Sequence, residues 1–177
     1  MRYFIEISYN GKNYHGWQIQ PNAISIQETL MDALSTILRK DINLVGAGRT
    51  DAGVHALQLF AHFDFDIFLD SQETVQKLNA FLPDDLVVKS IVKVTDNFHA
   101  RFDATSRSYE YRIWLGRNPF LLDTTYQIHR QQLNIEKMNE AATLLLEYTN
   151  FKSFSKSKTD VKTYNCKITE AKWVLED

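Results

Sequence analysis

The sequence predicts an α+β fold in which a mainly antiparallel sheet carries helices on one face. Three observations predict it. Several segments alternate apolar and polar residues, as half-buried strands do. Two longer segments carry apolar residues at helical spacing, as amphipathic helices do. These segments follow one another as strand, helix, strand, strand, helix, strand over residues 2–94. That order is typical of the split βαβ, or ferredoxin-like, arrangement.

The first strand and the first helix are the clearest elements. In residues 2–9 the odd-numbered Tyr3, Ile5 and Ile7 share one face of the predicted strand. The predicted helix runs over 25–39, and Ser25 with Glu28 forms a Ser-x-x-Glu capping box at its start. Its inward stripe consists of Ile26, Leu30, Ala33, Leu34, Ile37 and Leu38.

The next four elements complete the first half. Strands are predicted over 42–45 and 57–65, a helix over 71–82 and a strand over 86–94. In the strand 57–65, alternation places His62 on the polar face, where we expect it to be solvated.

The second half repeats only part of this pattern. A long strand is predicted over 107–115, a helix from Asn134 to about 147, and a last strand over 164–175. This is a β-α-β unit without its return, so the second ferredoxin-like half is expected to be incomplete. The sequence therefore predicts two domains, 1–97 and 98–177.

Composition excludes several classes of function. The chain has 177 residues, a formal net charge of −2 and one cysteine, Cys166. No disulfide can form within it, and its five histidines show no metal-ligand spacing, so no metal is expected. No signal peptide and no apolar run long enough for a membrane helix are evident, which predicts a cytoplasmic protein. Bulk charge does not indicate a nucleic-acid binder, so such a surface would need local clustering.

The loop over 46–56 is the strongest candidate site. Three glycines lie within eight residues, and Arg49 and Asp51 stand between them, two residues apart. One interpretation is a structural turn, with Asp51 bonded to nearby backbone and Arg49 solvated. The other is a charged functional loop on a rigid scaffold. The loop lacks the Gly-Lys-Ser/Thr of a phosphate-binding P-loop and does not fit a dinucleotide-binding fingerprint.

Basic residues cluster with aromatic residues in two later stretches. Such stretches suit RNA, because cations bind phosphates and rings stack on unpaired bases. A solvated, salt-bridged surface is the alternative. The clusters are Arg101, Arg107, Arg112, Arg117 and Arg130 in one stretch, and Lys152, Lys156, Lys158, Lys162 and Lys167 in the other.

Taken together, motifs over nearly the whole chain resemble the tRNA pseudouridine synthase A family. The loop Gly46-Ala47-Gly48-Arg49-Thr50-Asp51-Ala52-Gly53-Val54-His55 resembles its catalytic motif. The supporting stretches are Tyr9-Asn10-Gly11, Gly16-Trp17-Gln18-Ile19-Gln20, Ser25-Ile26-Gln27, Leu78-Asn79-Ala80-Phe81-Leu82-Pro83, Phe98-His99-Ala100-Arg101-Phe102, Arg107-Ser108-Tyr109-Glu110-Tyr111 and Phe151-Lys152-Ser153-Phe154.

The resemblance implies an isomerase that converts uridines at positions 38–40 of the tRNA anticodon stem-loop, acting as a homodimer without cofactor or metal. It implies Asp51 as the catalytic carboxylate and Tyr109 as the active-site tyrosine. Packing in the core is the alternative for Tyr109. Binding of RNA is expected from Arg49, Arg101, Arg107 and Phe154, which lie in or near the resembling motifs.

The resemblance also implies that the chain is truncated at its C-terminus. Family members continue into a further strand and a helix that carries an arginine partner for the catalytic carboxylate. Three alternatives therefore stay open at this point. They are a non-catalytic RNA-binding module of ferredoxin-like fold, an inactive fragment of the synthase, and a ferredoxin-like metabolic or regulatory domain.

Overall fold

A computed structural model describes residues 1–130, 132–155 and 163–176. The chain divides into two compact units, Met1–Glu110 and Tyr111–Asp177. Residues 98–110 belong to the first unit, where they contact its sheet and its glycine-rich loop. The domain division at 97/98 drawn from the sequence stays a prediction.

The first unit contains a four-stranded sheet. Its strands are β1 (Arg2–Tyr9), β2 (Val45–Gly46), β3 (Ala56–Asp64) and β4 (Leu86–Val94). They lie in the order β2-β3-β1-β4, and each neighbouring pair is antiparallel. With a helix after β1 and another after β3, this order is that of a split βαβ unit, so the predicted fold class is confirmed.

Two helices begin at side-chain caps. The helix α1 (Ile26–Leu38) starts at Ser25, whose Oγ accepts a hydrogen bond from the Glu28 N–H at 3.3 Å. The helix α2 (Ser71–Phe81) starts at Asp70, whose Oδ1 accepts from the Glu73 N–H at 3.0 Å. Each cap satisfies a backbone donor that would otherwise have no partner in the first helical turn.

The core lies between the sheet and both helices. Three inward side chains of β1, Tyr3, Ile5 and Ile7, are at most 1% exposed. They share one buried cluster with residues of both helices, which therefore cover the same face of the sheet. The helical members are Ile26, Leu30, Ala33, Leu34 and Leu78.

Of the strand predicted over 42–45, only Val45 lies in β2, because side chains of α1 bind the backbone groups of residues 42 and 44. The Ile42 N–H donates to Ser35 Oγ at 3.0 Å, and the Leu44 carbonyl accepts from Gln27 Nε2 at 2.7 Å. Both side chains at 42 and 44 are buried as alternation predicts. Helix side chains satisfy the polar groups that a strand partner would otherwise pair.

The described residues of the second unit include a helix and a small parallel sheet. Strands β5 (Ile113–Leu115) and β6 (Tyr126–Ile128) pair in parallel. Helix α3 (Ile135–Leu144) begins at Asn134, as predicted, where Asn134 Oδ1 accepts from the Lys137 N–H at 2.9 Å.

Both long strands predicted for the second half are wrong in extent. Of 107–115, only Ile113–Leu115 is a strand, and of 164–175 only Asn165 forms an isolated bridge, to Asn150. Alternation of side chains marks an extended backbone, but a strand also needs a partner for its N–H and C=O groups. The described residues supply that partner for only these short stretches.

The expectation that His62 is solvated is wrong. His62 is 4% exposed, and its Nδ1 accepts a hydrogen bond from the Ala100 N–H at 3.1 Å. The His99 ring lies against it, with 4.6 Å between centroids. Burial, helped by the positive charge of Arg2, lowers the pKa of His62 to about 4. The turn over 98–103 thus covers the sheet face that alternation assigned to solvent.

This burial makes stability depend on pH. The unfolded His62 has a pKa near 6.5, so below that value the unfolded state binds a proton that the folded state resists. The stabilisation by neutral His62 is therefore complete above about pH 6.5 and is lost as the pH falls toward 4. The His62→Asn variant keeps an acceptor near the position of Nδ1. As the pH falls from about 6.5 to 4, we expect its free energy of unfolding to decrease by on the order of 1–2 kcal/mol less than that of the wild type.

Urea unfolding at pH 7.5, 6 and 4.5 measures the effect as the difference between the two proteins, which removes the shared contribution of the carboxylates. Parallel pH dependence of the wild type and His62→Asn would contradict the assignment.

Candidate functional site

Thr50 fixes the centre of the loop between β2 and β3. Its Oγ1 lies 2.9 Å from the Oη of Tyr9, a side chain only 4% exposed. Its carbonyl accepts a hydrogen bond from the Trp17 N–H at 3.2 Å. The neighbours Arg49 and Asp51 are both exposed. The loop therefore presents its two charged side chains from a backbone that is bonded to the core through the hydroxyl and the carbonyl of Thr50.

The segment over 10–17 lies along this loop. The Gly11 N–H donates to His55 Nδ1 at 3.0 Å, and the Gly53 N–H donates to the Tyr14 carbonyl at 3.2 Å. Tyr14 Oη in turn donates to Asp85 Oδ1 at 2.6 Å, at the start of β4. Burial, followed by the adjacent Asp85 carboxylate, raises the pKa of Tyr14. The segment is thus both a packed connection and the immediate support of the loop.

Two glycines make this contact possible. Gly16 has φ of +89°, and a Cβ at that position would lie 2.2 Å from the Thr50 carbonyl oxygen. A Cβ on Gly11 would lie 2.0 Å from the carbonyl oxygen of Val54. Any side chain at either position would push the two segments apart, because backbone atoms cannot move aside as a flexible side chain can.

Arg107 reaches the same loop from the segment that follows β4. Its Nη2 donates to the carbonyl of Ala47 at 2.6 Å and to the carbonyl of Arg101 at 3.2 Å. Arg101 itself is exposed, and its guanidinium carbon lies 5.9 Å from the centroid of the Phe102 ring. Arg49, Asp51, Arg101 and Arg107 therefore all belong to the first unit.

Two predicted RNA-binding aromatics are strongly exposed. Tyr109, in the first unit, is 81% exposed, which contradicts the alternative that it packs in the core. Phe154, in the second unit, is 79% exposed and ends a short 3₁₀ turn beside Phe151. Lys152 lies over the ring of Tyr164 at 5.9 Å. Of the predicted lysine cluster, Lys156, Lys158 and Lys162 lie outside the described residues.

Within the described part of the chain, no group of three or more His, Cys, Asp or Glu side chains could hold a metal ion. No helix in that part is long and apolar enough to cross a membrane.

Sequence reasoning did not identify two functional supports, Tyr9 and Thr50. Thr50 stands between the two charged residues of the motif, and Tyr9 continues the inward alternation of β1. Nothing in the sequence identified the two residues as partners.

Comparison with known proteins decides the family. A family model described as tRNA pseudouridine synthase matches residues 6–103, which include the whole glycine-rich loop. The tRNA pseudouridine synthase A of Bacteroides fragilis is 54% identical over 177 residues, covering 99% of this chain and 70% of the relative. The chain belongs to the tRNA pseudouridine synthase family. Relatives with the same name from Bacteroides thetaiotaomicron (52% identity, 97% of this chain, 64% of the relative) and Bacillus licheniformis (39%, 98% and 71%) agree.

The region that matches the tRNA pseudouridine synthase family model contains Asp51, Arg49 and Arg101. Arg107, Tyr109 and Phe154 lie beyond that region. They fall within the alignment to the Bacteroides fragilis protein, which covers 99% of this chain. The first unit of this tRNA pseudouridine synthase family member thus holds the glycine-rich motif and the contacts that fix it.

Proposed function

We propose that this chain provides the catalytic carboxylate of a tRNA pseudouridine synthase that isomerises uridines at positions 38–40 of the anticodon stem-loop. One observation carries the proposal. Asp51 is exposed on a loop whose backbone is bonded to the core through Thr50, and this loop lies in the region that matches the family model. An accessible carboxylate on a fixed backbone suits attack on, or proton removal from, a bound nucleotide.

The chemistry needs no redox partner. The C1′–N1 bond of uridine breaks, the base turns, and a C1′–C5 bond forms. The proton at C5 leaves, and N1 gains a proton, so product and substrate have the same atoms. An aspartate carboxylate can act as nucleophile or base. We therefore propose that the reaction needs neither a cofactor nor a metal.

The target uridine must first leave its stacked position, which costs a few kcal/mol. Stacking on an aromatic ring returns roughly 1–3 kcal/mol per base, so the exposed ring of Tyr109 is the proposed platform. Arg49 lies two residues before Asp51. We propose that its side chain fills the gap left by the extruded base or binds a phosphate. Arg101 and Phe154 are further proposed contacts to RNA, since both are exposed.

We further propose that the protein is a homodimer in the cytoplasm that binds the anticodon arm of tRNA. These proposals rest on the resemblance of the sequence motifs to the tRNA pseudouridine synthase A family.

The test is a tritium-release assay on the protein at its full natural length. A tRNA transcript labelled with tritium at C5 of uridine releases label to water when the C5 proton leaves. We expect release from wild-type substrate and none from a tRNA that carries cytidine at positions 38–40. Binding without release would identify a non-catalytic RNA-binding module or an inactive form. Absence of both would favour a metabolic or regulatory domain.

A further inference from the structure

We propose that Arg107 is a positioning residue that holds the glycine-rich loop over 46–56 in place, and that it does not bind a phosphate of the RNA. This inference rests on the proposed function only in giving Asp51 its catalytic role. It replaces the expectation, drawn from the arginine cluster, that Arg107 contacts substrate.

The first step is the geometry of the guanidinium. One nitrogen of Arg107, Nη2, donates to two backbone carbonyls: that of Ala47, at 2.6 Å, and that of Arg101, at 3.2 Å. A guanidinium binds a phosphate through two parallel N–H groups on one of its edges. The side-on edge consists of Nε and Nη2, and the end-on edge consists of Nη1 and Nη2. Both edges include Nη2, which already donates to two carbonyls.

The second step is the space at Gly48, the residue after Ala47. A Cβ built on Gly48 would lie 3.4 Å from Arg107 Nε and 3.9 Å from its Cδ. These are ordinary van der Waals distances, so the Arg107 side chain lies directly against the backbone at the beginning of the loop. Position 48 is three residues before Asp51, so a shift of the backbone here moves the carboxylate.

The third step concerns the Arg101 carbonyl, which lies in a turn held in place by hydrogen bonds. The turn over 98–103 is held to the sheet, because the Ala100 N–H donates to buried His62 and Arg2 Nη1 donates to the Phe98 carbonyl at 2.8 Å. Within the turn, the His99 N–H donates to Asp103 Oδ2 at 2.6 Å. Arg107 thus joins the start of the loop to a turn that is itself fixed on β1 and β3.

The experiment compares Arg107→Gln and Arg107→Lys with the wild type in the full-length protein. Arg107→Lys keeps the charge but not the planar guanidinium, and the two are not equivalent at such sites. Arg49→Gln is the reference for loss of a proposed phosphate contact, and Lys93→Gln, on the exposed surface of β4, is the reference for simple loss of charge. Three quantities are measured: hydrogen exchange of the amides of 46–54, the salt dependence of tRNA binding, and the separate kcat and KM for tritium release.

We expect both Arg107 variants to speed exchange of the loop amides by about tenfold or more and to lower kcat by about 10–100-fold, because small displacements of a catalytic group cost up to about 100-fold. The slope of log affinity against log salt and KM should stay near wild type in both. Arg49→Gln should instead reduce the slope by roughly 0.7.

Unchanged exchange of the loop amides in both Arg107 variants would overturn the inference. It would also be overturned if the slope of log affinity against log salt falls in Arg107→Gln but stays at the wild-type value in Arg107→Lys, and Arg107 would then be identified as a phosphate contact. The exchange measurement needs no turnover. If the wild type releases no tritium while Arg107→Gln still loosens the loop, the proposed function fails and the positioning role stands.

Discussion

Replacement of Asp51 by Asn is expected to lower the rate of pseudouridine formation by at least about 10³-fold, the scale on which loss of a catalytic base or nucleophile acts. Asparagine has nearly the same shape as aspartate, but its amide is neither an anion nor a base. The backbone at this position is set by the hydrogen bonds of Thr50 to Tyr9 and Trp17, which the substitution does not touch. Affinity for tRNA should therefore stay within a few-fold of wild type.

Single-turnover tritium release with saturating enzyme measures the chemical step, and filter binding measures affinity. Asp84→Asn is the matched control, since Asp84 is also an exposed aspartate, in the turn before β4. It should react at the wild-type rate. Wild-type single-turnover rates in Asp51→Asn would remove Asp51 from the mechanism even if the protein is confirmed as a synthase.

The second large effect is expected at Gly16. Alanine there adopts φ of +89° with strain and places Cβ 2.2 Å from the Thr50 carbonyl oxygen. A left-handed conformation costs a non-glycine residue about 1–2 kcal/mol. The backbone must also separate, which breaks the bond from the Trp17 N–H to the Thr50 carbonyl. We expect Gly16→Ala to lose about 3 kcal/mol or more of stability, or roughly 10 °C in Tm for a chain of this size.

Gly53→Ala separates the two causes. Gly53 also has a positive φ, +77°, but a Cβ there meets no atom within 4 Å. Its variant should therefore lose only about 1–2 kcal/mol, the conformational part alone. Calorimetry on the wild type and both variants gives the comparison. Equal destabilisation by Gly16→Ala and Gly53→Ala would show that the close approach of Gly16 to Thr50 does not contribute.

Local signals in the sequence were sufficient for most of the first unit. The strands 2–9 and 86–94 were predicted at their observed bounds, and the Ser25 cap of α1 and the Asn134 cap of α3 are confirmed. These features depend on the spacing of side chains within a few residues, which the sequence displays directly. The glycine-rich loop was found in the same way, since its residue types are contiguous.

Strand length was less predictable where pairing decides it. Ile42 and Leu44 are buried as alternation predicts, yet Ser35 and Gln27 of α1 bond their backbone groups in place of a neighbouring strand. Residues 107–112 alternate like a strand, but none of them belongs to one of the strands of the structure. Alternation reports which face of a segment is apolar and does not report whether another strand lies beside it.

The sequence by itself determined the order of elements, the class of fold, and the position of Arg49 and Asp51 in a loop between two strands. Only the tertiary structure decided how that loop is held. The Tyr9–Thr50 bond, the Ala100–His62 bond and the Arg107–Ala47 bond join residues 41, 38 and 60 positions apart. Such contacts leave no periodic trace in the chain, because they form only after strands and helices bring distant segments together. For the same reason, a histidine predicted to be solvated is buried, and an arginine predicted to bind RNA lies across the loop.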